Sequence, residues 1–201
     1  MSTLTVALPA IETPWTLPSR SRVGMFSLIA AESAVFTIFL VAYIFYLGKS
    51  LTGPTPQQVL HVPIFNTICL LSSSLTIHLA LIALRQRKSG AFNLFWFITL
   101  ALGAIFLVGT GREWYHLIYD EGLAISTNLF GTTYYSLVGL HAFHVTAGLV
   151  GLGVVMILAL AGRVQHEHAR DVDVLSLYWH FVDAVWVLIV GMLYAVPHLK
   201  S

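Results

Sequence analysis

Charge is what this chain has least of. Among 201 residues there are 10 lysines and arginines and 9 aspartates and glutamates, so charged side chains make up 9% against 57% hydrophobic ones. A soluble domain carries about 25% charged residues. So small a complement cannot cover a water-facing surface, which excludes a soluble globule and leaves a multi-pass membrane protein built as one domain. The formal net charge of +1 supplies no concentrated basic face, which excludes a nucleic-acid partner. Cysteine is scarcer still: the single Cys69 excludes an internal disulfide and reads as a small core residue within an apolar stretch. A glycine-rich phosphate loop, a nucleophile elbow and a usable catalytic triad are all missing. So is an internal repeat, which disfavours the paired halves of many transporters.

What is present is long apolar runs. Crossing a hydrocarbon core takes roughly 20 residues, and runs at 25–47, 62–84, 92–111, 130–161 and 175–196 meet that length. The expected fold is all-α, a transmembrane bundle of five helices, with an N-terminal extramembrane arm over 1–24 and a membrane domain over 25–201. The arm holds Pro9, Pro14 and Pro18 and lacks the basic n-region of a cleaved signal. It reads either as an extended arm on a neighbouring protein or as a disordered tail. The fourth run is overlong, so its helix should tilt or project. Arg20, Arg22, Arg85, Arg87, Lys88, Arg163 and Arg170 all fall to one side of such a bundle, whereas Lys49, Arg112 and Lys200 fall to the other. The excess of positive charge predicts a cytoplasmic N-terminus and an external C-terminus.

Polar groups inside the runs carry the functional signal. Tyr178-Trp179-His180-Phe181-Val182-Asp183, followed by Trp186, lies within the fifth. Spacing of three puts His180 and Asp183 on one helix face, and ionisable groups at bilayer depth mark a polar path or a buried partner. Glu32 lies about two turns into the first run. With no basic residue in the spans to pair with, it should face protein and hold its proton, because desolvation disfavours the charged form. It reads as a proton-exchanging site or as a neutral acid bonded to a neighbouring helix. His78, His141, His144 and His180 are candidate haem or metal ligands, or ties between helices through hydrogen bonds to hydroxyls and carbonyls. Glu113-x-x-His116 supplies one of the two Glu-x-x-His motifs that a di-iron bundle needs, with Glu32 and Asp183 the only candidates for its further carboxylates.

Four segments carry a joint signature: the Glu32 helix running to Phe36, Phe39 and Tyr43; Asn66-Thr67 with Leu70-Leu71-Ser72-Ser73; Glu113-Trp114-Tyr115 with Gly131 to Tyr135, Gly139-Leu140-His141-Ala142-Phe143-His144-Val145 and Gly148; and the Tyr178–Trp186 block. In this order they resemble subunit III of the haem-copper oxidases. The resemblance covers the chain from Met25 to its end and is closest to the short five-helix bacterial form. The first two helices of the seven-helix form, one arm of its lipid-holding cleft, have no counterpart, and Ala142 stands where the family has glycine.

The resemblance implies an accessory subunit of a respiratory terminal oxidase in a bacterial plasma membrane. It would carry no redox centre and no catalytic residue of its own while supporting stability, lipid retention and proton uptake during reduction of oxygen to water. Haem and copper are then expected in subunit I, the direct partner, with subunit II in the same complex and phospholipid held at the surface. Copper in subunit II and a small subunit IV stay open. It implies Glu32 as the buried functional carboxylate and Asn66, Glu113, His141, His144, Trp179, His180 and Asp183 as structural polar anchors, with no metal ligand among them. Cytochrome c is preferred as electron donor over quinol. A haem-binding membrane cytochrome and an autonomous proton or ion transporter are the readings from other classes.

Overall fold

The computed structural model describes residues 19–50, 52–60 and 62–199, with side chains through Tyr194. Residues 1–18 of the expected arm and Lys200 lie outside the described residues. In lipid every backbone amide must find its partner within the chain, and a helix does this segment by segment. Accordingly the described residues contain helices, turns and loops and no strand.

Five helices are long and apolar enough to cross a membrane. The first, α1 (Arg20–Tyr46), starts within the expected arm, capped by Ser19, whose Oγ accepts from the Arg22 amide at 3.4 Å. A one-turn helix α2 (Pro56–Val59) has proline at its first position, where no amide is needed. α3 (Ile64–Arg85) and α4 (Ser89–Tyr119) form a hairpin turned at Arg87, which takes φ 59°. α5 (Leu129–Leu160) is capped by Asn128, whose Oδ1 accepts from the Gly131 amide at 2.8 Å. A 3-10 turn at His166–His168 leads into α6 (Ala169–Leu199). The 32 residues of α5 reach about 48 Å at 1.5 Å each, well past a hydrocarbon core of about 30 Å. The third run, expected to end at 111, is longer as a helix: α4 continues through Arg112 to Tyr119, leaving only nine residues, 120–128, before α5.

α5 and α6 pack against each other at the centre. The α3–α4 hairpin packs on them, and so does α1. At one end Asp173 of α6 receives Arg22 of α1 and Arg85 of α3, the latter at 2.9 Å. Arg87 reaches His166 at 3.0 Å at the same end. At the other end the two longer connections join: Asn128 Nδ2 donates to the carbonyls of Thr52 and Pro54, both at 3.1 Å. The basic residues that the sequence groups together therefore gather at one end, and the proline-containing loop lies at the other.

Candidate functional site

Glu32 is not alone. His144 of α5 stands with Nε2 3.0 Å from its Oε2, which corrects the expectation of a carboxyl without a basic partner. The other ring nitrogen, Nδ1, lies 2.8 Å from the Leu140 carbonyl one turn earlier. A carbonyl only accepts, so Nδ1 carries a proton, and the Nε2–Oε2 contact holds one proton on either side. Phe36 covers the pair, its ring centroid 5.0 Å from that of His144, and Tyr178 of α6 donates to the His144 carbonyl at 3.1 Å. The node thus ties α1, α5 and α6.

A second node joins α6 to α3. Ser74 Oγ lies 2.9 Å from His180 Nδ1 and donates to Asp183 Oδ2, so the two residues expected on one face share a hydroxyl bridge. Trp179 Nε1 donates to Ser73 Oγ at 2.8 Å, and Trp186 Nε1 donates to Thr67 Oγ1 at 3.1 Å. Antiparallel helices bring 67 opposite 186 and 73 opposite 179. Asp183 is 3% exposed, and its Oδ1 has no partner among the described residues.

The hydroxyls of α3 were missed as partners in the sequence. Serine and threonine in a helix commonly bond back to their own backbone. Ser73 and Thr76 do so as well, each to a carbonyl three residues earlier. The available signal was pairing: hydroxyls at 67 and 73, six residues apart, lie near the seven-residue, two-turn spacing of Trp179 and Trp186.

The remaining candidates are scattered. His141 is fully buried, stacked on Trp186 at a centroid distance of 5.0 Å with Phe106 edge-on at 5.7 Å. Neither of its ring nitrogens has a hydrogen-bond partner among the described residues, contrary to the expectation of a helix tie through hydroxyls or carbonyls. Glu113, inside α4, accepts from the Tyr134 hydroxyl at 3.2 Å. Asn66 of α3 packs on Gly109 of α4, where any Cβ would collide with its amide. His78 lies exposed on α3, and His116 pairs with Asp120 at 3.7 Å. Among the described residues no three His, Cys, Asp or Glu side chains converge as a metal-binding group. What the bundle offers instead is two partly buried acid–histidine nodes, each spanning helices distant in sequence.

The family model for cytochrome c oxidase subunit III matches residues 19–196. Cytochrome c oxidase subunit 3 of Synechocystis sp. is 34% identical over 181 residues, covering 88% of this chain and 76% of that one. The protein of the same name from Alkalihalophilus pseudofirmus is 33% identical over 190 residues, covering 93% and 92%. That from Bacillus sp. strain PS3 is 32% identical over 184 residues, covering 89% and 87%. A match running nearly the length of the chain, over five apolar helices tied by polar nodes, settles the assignment: this membrane protein belongs to the cytochrome c oxidase subunit III family.

Proposed function

We propose that the chain is the accessory third subunit of a bacterial cytochrome c oxidase, set in the plasma membrane with its N-terminus in the cytoplasm. It packs against subunit I, shares the complex with subunit II, holds phospholipid, and carries no redox centre of its own. The haem and copper of oxygen reduction belong to its partners. Its contribution is to sustain proton uptake and to protect subunit I during turnover. Glu32 serves as the functional carboxylate, while Asn66, Glu113, Trp179, His180 and Asp183 anchor the helices. His144 holds Glu32.

The observation that carries this reading is the family match over residues 19–196, joined to a bundle in which Glu32, Glu113, His144, His180 and Asp183 bond across helices. The clustering of Arg22, Arg85 and Arg87 at one end supports the orientation through the positive-inside rule. The test is depletion of this chain from the purified complex. An unchanged haem spectrum and normal initial oxygen consumption, followed by faster decay during turnover, are expected. Loss of haem absorbance in proportion to this chain would overturn the reading.

A further inference from the structure

A groove of about 340 Å³ opens at the arginine-bearing end, lined by Arg22 and Phe26 of α1, His78 and Leu81 of α3, and Asp173, Ser176, Leu177 and His180 of α6. On α6 the positions 173, 176, 180 and 183 recur at helical spacing, so one face carries polar groups from the arginine end inward. His180 is the deepest polar residue lining the groove, and Ser74 connects it to Asp183, which is sealed from solvent. We propose that Asp183 is a proton-exchanging site, loaded from the arginine-bearing end through this groove by a relay of His180 and Ser74. The proposal concerns the chemistry of this chain itself and goes beyond the accessory-subunit reading without resting on it.

The relay follows from proton counting. A serine hydroxyl has one proton. When Asp183 is ionised, Ser74 donates to Oδ2 and accepts from a protonated Nδ1 of His180. When Asp183 is neutral, the acid donates to Ser74 and Ser74 donates to a bare Nδ1. The heavy atoms serve both patterns unchanged. Loading begins with a hydrated proton in the groove, which binds His180 Nε2. The Nδ1 proton passes to Ser74 Oγ, and the Ser74 proton passes to Asp183 Oδ2. Three bonds to hydrogen break, at the water, Nδ1 and Oγ, and three form, at Nε2, Oγ and Oδ2. One positive charge enters and neutralises one carboxylate, and no electron moves.

The same geometry ends the path at Asp183. The neighbouring polar contacts on the α3–α6 seam are the indole N–H groups of Trp179 and Trp186 on Ser73 and Thr67. An indole N–H donates only and passes no proton onward. The site therefore stores a proton; it does not conduct one across the bundle. The charged and titratable groups around the inlet are Arg22 from α1, His78 and Arg85 from α3, and Asp173 and His180 from α6. The Glu32–His144 pair belongs to a different face of α6, against Tyr178 and Phe36.

Infrared difference spectra between acid and alkaline buffer, taken on the full chain in the assembly with which it purifies, test the proposal. A protonated-carboxyl band should appear in acid, vanish in Asp183→Asn and persist in Glu32→Gln. Its hydrogen–deuterium exchange should slow roughly tenfold or more in Ser74→Ala, the scale on which a positioned proton carrier acts, and recover in Ser74→Thr. A purely architectural Ser74 would change stability and leave the exchange rate alone. If Asp183→Asn fails to assemble, the Ser74→Ala and Ser74→Thr exchange rates decide by themselves, on the carboxyl band that shifts when its hydroxyl partner is removed. A titrating band indifferent to Asp183→Asn, or equal exchange in Ser74→Ala, would overturn the proposal. So would failure of a charged, water-borne thiol reagent to modify Leu177→Cys in a Cys69→Ala background, since the groove must be wet.

Discussion

A Cβ added to Gly148 of α5 would lie 2.8 Å from Cε3 of Trp179, so the indole fills the space that a side chain there would need. Gly103 of α4 meets the far edge of the same ring, with Cη2 2.9 Å from its ideal Cβ. Trp179 is fully buried between two helices while its N–H is anchored on a third through Ser73. In lipid, where apolar burial drives little association, such close packing and interhelical bonding set helix positions.

Gly148→Ala should therefore destabilise the bundle by about 1–3 kcal/mol, the cost of overpacking a filled site. Gly153→Ala is the control. Nothing lies within 4 Å of the Cβ it would add, and alanine favours a helix over glycine by up to about 1 kcal/mol. Thermal unfolding in detergent should lower the midpoint for the first and leave or raise it for the second. Equal behaviour would mean that Trp179 has another place to go.

At the Glu32–His144 node, Glu32→Gln should assemble normally, because an amide N–H can donate to a bare Nε2 where the acid did. Glu32→Leu leaves that nitrogen buried without its partner, at an expected cost of about 1–3 kcal/mol. The His144 side chain is 7% exposed, which keeps water from replacing the lost bond. A double-mutant cycle with His144→Leu should recover part of the loss. Additive losses would show that the two residues do not act on each other.

The Asp173 junction should matter less. Its arginine partners are about half exposed, at 48% and 56%, and exposed ion pairs contribute about 0–1 kcal/mol, reduced further by salt. Asp173→Asn is expected to shift the unfolding midpoint slightly at low ionic strength and not at all in high salt. A large, salt-independent loss would mean that the junction is shielded in the assembled complex.

Five apolar runs and the shared face of His180 and Asp183 are legible in the sequence because length and helical periodicity are local properties. The partners are not local. Glu32 and His144 are 112 positions apart, and Ser74 and Asp183 are 109 apart. Which helix lies beside which depends on packing that no single segment encodes. Helix ends were blurred for another reason: α1 begins at Arg20 and α4 runs on to Tyr119, past the limits of the apolar runs, because a helix continues wherever its backbone stays satisfied, with or without lipid around it. The hydroxyls of α3 were hidden by their ordinariness, since a serine on a helix usually bonds back to its own turn.

His141 sets two effects against each other. Its stack on Trp186 and edge contact with Phe106 contribute about 0.5–1.5 kcal/mol beyond burial. Its ring nitrogens, fully buried and without partners among the described residues, cost about 1–3 kcal/mol for each one left unsatisfied. The desolvation cost is the larger, so His141→Leu, which keeps a similar volume and removes both polar atoms, should leave stability unchanged or raise it. The unfolding midpoint of the variant in the intact complex measures this directly. A drop of several degrees would show that assembly, an internal water or a partner subunit satisfies the imidazole, and would make His141 a polar anchor after all.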